Sequence, residues 1–473
     1  MTETVIPENV RVIGSGHSLA SRIPWTLIVL IFACTVPWIG SRYNTFLAEQ
    51  IAIDALFAVS LNLLLGTTGL VSFGHVAYFG VGAYVCGILM KTYELPFAVA
   101  FPAAGLGTAL FALVSGFFCV RLIKLYFAML TLAFSQIVWA IAYKWNDVTG
   151  GDQGLPEIPF PNLDWMSSIP GLGSLRINDQ FYLLSIFLIA VSLAVLHRIV
   201  RSPFGRVLTT IRDNPERAAF IGVNVRAYQL AAFVVAGTFA GFAGALYGIF
   251  SRGVFADYVF WSKSAEVMIM TILGGMDYFW GPPVGALAIV WLNQEVTDYT
   301  EYWPFVLGVI LVGLLFAFPG GIVGALGDAL TMPPRYRAFL FAFQGRVSRR
   351  QYWRKWWVPS GVVTLVVSVV AASTGWFGLG LALAYSVLLL WAGTVVLVKR
   401  LHDSSQSGWL VLAVYAPALL IQYALGQHNV GFVLWLTLLV MQIAPFIVVG
   451  CLPSTSGDNR FGPASLSSAT MTA

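Results

Sequence analysis

The residues able to do chemistry fall in separate places along the chain. His402 and Asp403 are adjacent, a pairing that could suit metal binding or acid–base work. Neighbours on a helix point apart and no third ligand is evident, so the simpler reading is a structural polar cluster of Arg349, Arg350, His402, Asp403 and Arg460. Asp54, Glu266 and Glu295 lie in or near apolar runs, where a carboxylate is a functional suspect for ion coupling. They are separated in sequence, and ordinary hydrogen bonding between helices explains them more simply. The densest polar stretch is RSPFGRVLTTIRDNPERAAFIG, from Arg201 to Gly222, which gathers Arg201, Arg206, Arg212 and Arg217 with Asp213 and Glu216.

That stretch has an internal grammar. Ser202-Pro203 is a turn signal; Asn214 suits a helix cap, Pro215 the first helical position, and Glu216 the positive end of the helix dipole. A short helix from Pro215 to Ile221 is expected, stopping at Gly222. Its arginines place it on the cytoplasmic side of a membrane, where the plain alternative is an ordinary basic loop.

Composition requires the membrane. Of 473 residues, 58% are hydrophobic and only 10% charged. The apolar runs are about twenty residues long rather than alternating short strands, so helices must satisfy the backbone inside lipid. The net charge of +5 comes from loop residues and reads as topology and contact with anionic lipid, not nucleic-acid binding. Cys34, Cys86, Cys119 and Cys451 lie far apart without a Cys-x-x-Cys, which supports neither a zinc site nor a disulfide framework. No Gly-x-x-x-x-Gly-Lys-Ser/Thr occurs, so the chain does not cradle nucleotide phosphates by that loop.

Apolar runs fall near 24–40, 46–66, 76–90, 96–119, 125–143, 181–200 and 229–250, then across 263–296 and 304–324. With Arg11 and Arg22 inside, the polar segment 146–179 falls outside, where it either meets a partner or is a solvated loop too polar to be buried. Gly274-Gly275 and Gly281-Pro282-Pro283 interrupt 263–296, forcing a tight turn between two spans or a broken helix. Small residues at Ala236-Gly237, Ala240-Gly241 and Ala243-Gly244 form a helix-packing face. Glycines also punctuate 66–82, and Gly69, Gly74, His75 and Gly80 are candidates for a translocation pathway in which exposed N–H groups hold a carboxylate. Relief of crowding between helices accounts for those glycines equally well.

The strings GLVSFGHVAYFGVGAY, RSPFGRVLTTIRDNPERAAFIGVNV, AGFAGALYG, ILGGMDYFWGPPVGA and FPGGIVG occur in that order. Together they resemble the branched-chain amino acid ABC permease family, of the LivM type, over about 50–326. Within the polar loop, Glu216, Ala218 and Gly222 resemble the Glu-Ala-Ala-x-x-x-Gly motif of importer permeases, with Arg217 replacing one alanine. The resemblance implies a non-enzymatic transport subunit of the bacterial inner membrane, with no cofactor of its own. ATP and magnesium would belong to two separate ATP-binding subunits coupled through this loop, with Asn214, Glu216, Ala218 and Gly222 setting the geometry of its short helix and Arg206 and Arg212 as candidate contacts to the ATPase. It also implies a second permease of the LivH type and an extracytoplasmic solute-binding protein. Asp277 departs from the family's neutral pattern after Gly-Gly. An ion-coupled secondary transporter or channel is the alternative.

After Gly327 the segment PRYRAFLFAFQGRVSRRQYWRKWW interleaves basic and aromatic residues, as an interfacial anchor on membrane lipid does. Spans are expected near 358–373, 377–398, 408–425 and 430–451, with the polar pieces around Arg349, His402 and Arg460 on one cytoplasmic face. Phe343-Gln344-Gly345-Arg346, Arg400-Leu401-His402-Asp403 and the 457–463 tail resemble the bacterial membrane family called domain of unknown function 805. The expected fold is thus an all-α integral membrane protein, a polytopic bundle of about ten spans followed by a second domain of about four. Its divisions are a cytoplasmic N-terminal tail 1–23, a permease domain 24–326, an interfacial linker 327–357, a four-span domain 358–463 and a polar tail 464–473, with both termini cytoplasmic.

Overall fold

The computed structural model describes residues 33–38, 42–122, 124–164 and 175–299, with shorter stretches between 308 and 453, chiefly 346–357, 375–411 and 446–453. Expectations for the N-terminal tail, most of 304–324, most of 358–373 and 412–445, and the tail containing Arg460 lie outside the described residues.

The helices are α1 (Arg42–Asn62), α2 (Val76–Lys91), α3 (Phe97–Cys119), α4 (Lys124–Lys144) and α5 (Ile177–Arg201). They continue as α6 (Pro203–Asp213), α7 (Pro215–Phe220), α8 (Val225–Phe250), α9 (Trp261–Gly274) and α10 (Gly281–Tyr299). A π-helical turn, Leu63–Thr68, extends α1. Among the described residues, α1 with this turn, α3, α4 from Leu125, α5 and α8 are long and apolar enough to cross a membrane. The 23 residues of α3 rise about 35 Å, sufficient for a hydrocarbon core of about 30 Å. With 16 residues, α2 is shorter.

The central layer is α1, α2 and α8, with α3 against α2 and α8, α5 against α1, and the α9–α10 hairpin against α1. The glycine stripe of α8 explains the closeness of α2. A Cβ on Gly82 would strike the Gly241 backbone, and one on Gly244 would strike that of Phe79. Such backbone-to-backbone approach is what small residues permit in lipid, where dispersion replaces the hydrophobic effect between helices. In contrast, α3, α4 and α5 turn Leu110, Met129 and Phe187 outward, as peripheral helices in lipid do.

Polar contacts at the helix ends define opposite faces of the bundle. On one, the Lys91 ammonium donates to the Pro156 carbonyl, and strands β1 (Leu155–Pro156) and β2 (Gly253–Val254) pair antiparallel. On the other lie the 202–224 loop and the turn between α9 and α10. The 263–296 run is therefore a hairpin of two helices, with Gly275 at φ +114° in its turn.

The segment after α4 corrects an expectation. Leu155, Ile158 and Leu163 are buried, while Asp147, Asp152, Glu157 and Asp164 remain exposed. Alternation of apolar and charged residues lets the segment lie on the bundle instead of being merely solvated. A separate small core in the C-terminal part joins Val347, Tyr352, Val396, Leu397, Leu401, Val411 and Val449. It packs around the end of α11 (Gly375–Asp403), which contains the expected 377–398 span.

Candidate functional site

The polar loop is a chain of capped helices. Ser202 Oγ accepts from the Gly205 N–H at 3.4 Å, and Pro203 opens α6, which buries Leu208 and Ile211. Asn214 Oδ1 accepts from the Arg217 N–H at 2.9 Å, and Pro215 opens α7. Gly222 then adopts φ +89°, a left-handed conformation that glycine reaches without Cβ strain, while the Val223 N–H donates to the Ala218 carbonyl at 3.1 Å. Asn224 Oδ1 caps α8 by accepting from the Ala227 N–H.

These caps aim the side chains. Ala218 is fully buried, so only a small residue fits where α7 meets the bundle. Arg206, Glu216 and Arg217 face outward. Phe220 and Ile221 are 90% and 71% exposed, an apolar tip on an otherwise charged loop. The tip was not singled out from sequence, where both residues look like ordinary helix-face positions.

Arg212 turns the other way. Its guanidinium donates to the Gly66 carbonyl in the π turn of α1 and to Asp277 Oδ1 at 2.9 Å in the α9–α10 turn. The resemblance implied a contact between Arg212 and another subunit; within the chain the guanidinium uses two of its five N–H donors on these acceptors, and its side chain stays 34% exposed. Asp277, the departure from the family pattern, is thereby explained as the partner of Arg212. A cavity of about 120 Å³ opens beside this clasp, lined by Asn62, Gly66, Thr209, Arg212, Met276 and Phe279.

The pathway candidates lie in the connection before α2. Gly69, at φ +77°, ends the π turn against Arg212. A Cβ on Gly74 would meet the Thr131 backbone, and one on Gly80 would meet Val259, so both glycines admit close neighbours. His75 is fully buried, stacked on Phe57 and bonded through Nε2 to Ser60 Oγ at 2.9 Å. Ser60 Oγ also donates to the Phe57 carbonyl, which ties His75 to the backbone of α1 through this hydroxyl. At the start of α2 the Val76 N–H donates to Ser264 Oγ, and the Ala77 and Tyr78 N–H groups donate to the Gly74 and His75 carbonyls. The first N–H groups of α2 are therefore engaged within the chain.

Asp54 and Glu266 are brought together by a residue that the sequence reading passed over. Lys263 Nζ lies 3.3 Å from Asp54 and 3.2 Å from Glu266. The side chain of Glu295 is outside the described residues.

In the C-terminal part, Asp403 is buried and accepts from Arg346 at 3.1 Å and from Arg400 at 2.6 Å. Arg400 also donates to the Gly450 and Leu452 carbonyls, closing the ends of α11 and the last described helix together. Arg349 and Arg350 are exposed, and His402, next to Asp403, is half-buried on another side of α11. Of the expected cluster of Arg349, Arg350, His402, Asp403 and Arg460, Asp403 is buried with Arg346 and Arg400, while Arg349 and Arg350 are exposed and Arg460 lies outside the described residues. Among the described residues, no group of His, Cys, Asp and Glu is arranged to hold a metal.

The long apolar helices, with lipid-type outward faces on the peripheral ones, define a multi-pass membrane protein. Residues 44–315 match the family profile described as branched-chain amino acid transport system, permease component, and the chain belongs to that family. Residues 340–463 match a protein family of unknown function, DUF805. The chain is 29% identical to the high-affinity branched-chain amino acid transport system permease protein LivM of Escherichia coli K12 over 325 residues, covering 65% of this chain and 76% of the relative. It is 24% identical to a probable branched-chain amino acid transport permease protein LivH of Methanocaldococcus jannaschii, covering 57% of this chain and 88% of that one. The uncharacterized protein YiiR of Escherichia coli K12 is 33% identical over 130 residues, 26% of this chain and 86% of YiiR. No solved structure matches the chain significantly.

Proposed function

We propose that this chain is a transmembrane subunit of an ATP-driven importer for branched-chain amino acids or a related small solute. ATP is hydrolysed by separate subunits that dock on the 201–222 loop from the cytoplasm, the side favoured by its arginines. The observation that carries this reading is the loop's two-sidedness: Phe220 and Ile221 project outward while Arg212 holds Gly66 and Asp277 inside. A force applied at the tip therefore has a bonded route to α1 and to the α9–α10 turn.

In this reading the working complex contains two ATP-binding subunits, a second permease of the LivH type and an extracytoplasmic solute-binding protein. The C-terminal domain adjusts assembly, lipid contact or regulation. The test is purification of the tagged full chain in mild detergent beside Glu216→Lys. Recovery of ATPases and a second permease with the parent, weakened in the variant, is the expected result. Transport of solute by the chain alone in liposomes without ATP would overturn it in favour of an ion-coupled transporter, the reading that the Asp54–Lys263–Glu266 charges would otherwise favour.

A further inference from the structure

A second cavity, of about 460 Å³, lies between α8, α9 and α10, on the far side of the bundle from the polar loop. Its size falls within the roughly 300–1,000 Å³ of small-molecule sites. Phe79, Tyr247, Trp261, Ile269 and Ile289 give it an apolar and aromatic wall, and Lys263 and Glu266 stand together on that wall. Charge does not balance there: one ammonium, Lys263, faces two carboxylates, Asp54 and Glu266, and a third, Asp257, also lines the cavity. Asp54 is fully buried behind the lysine, whereas the Glu266 side chain is 33% exposed.

We propose that this cavity binds an apolar α-amino acid as its zwitterion, with the ligand's ammonium on Glu266, its carboxylate on Lys263 and its side chain against the aromatic wall. An ammonium has three N–H donors. Lys263 Nζ stands at ion-pair distance from Asp54 and Glu266 and over the Tyr247 ring, and its ammonium keeps an N–H for a ligand carboxylate. Glu266 is an acceptor on the cavity side, and the ligand's ammonium supplies the positive charge that the cluster lacks. Asp54 acts as a positioning residue, holding Lys263 charged and fixed. Because Lys263 and Glu266 are one helical turn apart with their charged ends 3.2 Å from each other, they match adjacent ammonium and carboxylate groups on a single carbon. A fatty acid or a simple amine would satisfy only one of them.

This inference rests on the importer reading but can fail separately from it. The probe is a diazirine analogue of leucine, photolysed with the detergent-purified full complex and mapped by mass spectrometry. Adducts are expected on Tyr247 and on 261–269, competed by leucine but poorly by 4-methylpentanoate or isoamylamine. Glu266→Gln should weaken labelling by about tenfold, the value of one hydrogen bond to a charged group. The paired change Asp54→Asn with Lys263→Met removes the lysine and its buried partner together and should raise the leucine concentration needed to compete the label. Adducts located elsewhere, or labelling unchanged in Glu266→Gln, would overturn the site while leaving ATPase recovery, the test of the importer, untouched.

Discussion

Arg212 and Asp277 are 2.9 Å apart across the gap between the polar loop and the α9–α10 turn, and the same guanidinium reaches the end of α1. Both side chains are partly exposed, 34% and 57%, so the pair contributes at most about 1 kcal/mol to stability. Its value lies in what it connects. Asp277→Ala should leave thermal unfolding in detergent nearly unchanged while lowering solute moved per ATP hydrolysed in proteoliposomes. Arg212→Lys should also lower coupling, because its single terminal nitrogen replaces the two, Nη1 and Nη2, that reach the Gly66 carbonyl and Asp277 separately. Unchanged coupling in both variants would remove the clasp from the mechanism.

The exposed tip makes a different prediction. Phe220→Ser with Ile221→Ser alters side chains that touch little of this chain, so folding should shift by no more than about 0.5 kcal/mol per site. Recovery of ATP-binding subunits in a pull-down should fall sharply. Retention of the full complement would show that the tip is not the docking surface.

Gly82→Ala probes the central layer. Its new methyl would enter the Gly241 backbone, which cannot swing aside, and overpacking of this kind costs about 1–3 kcal/mol. Gly107→Ala is the control, since its methyl meets Val85 at 3.5 Å, an ordinary contact. A lowered unfolding temperature for the first variant only is the expected pattern.

In the C-terminal domain, Asp403→Asn leaves Arg346 and Arg400 without their shared carboxylate. Breaking a buried pair costs about 3–5 kcal/mol, and the change should open the segment around 346–350 to trypsin. Arg349→Ala, on an exposed residue, should leave the digestion pattern as in the parent apart from its own cleavage site. Equal patterns for the two variants would dismiss the buried cluster as the domain's clamp.

The loop was legible because its signals are local. Asn214, Pro215 and Gly222 act on their own backbones, and each does in the structure what its type and spacing predict. The interruption at Gly274-Gly275 was legible as a choice, which packing settled as a hairpin. Long-range pairing was not legible. Asp54 and Lys263 are held together by the packing of α1 against α9, and no pattern within either helix announces it. Asp277 looked like an anomaly for the same reason, since its partner lies in another loop. In the C-terminal domain the sequence marked a polar cluster but not its depth: Arg400 is buried whereas Arg349 is exposed.

The two-stranded ribbon gives α8 and α9 a mechanical character. At one end, α8 starts directly from the loop and α9 finishes in the turn that Arg212 grips. At the other, the link between them is stitched by β2 to β1, and the Ile158 N–H donates to the Arg252 carbonyl. The pair resembles a tie rod pinned at each end to a different part of the molecule. A displacement of the loop must be absorbed by bending within these helices or delivered to the ribbon, and the Lys263 cavity sits along that line of travel.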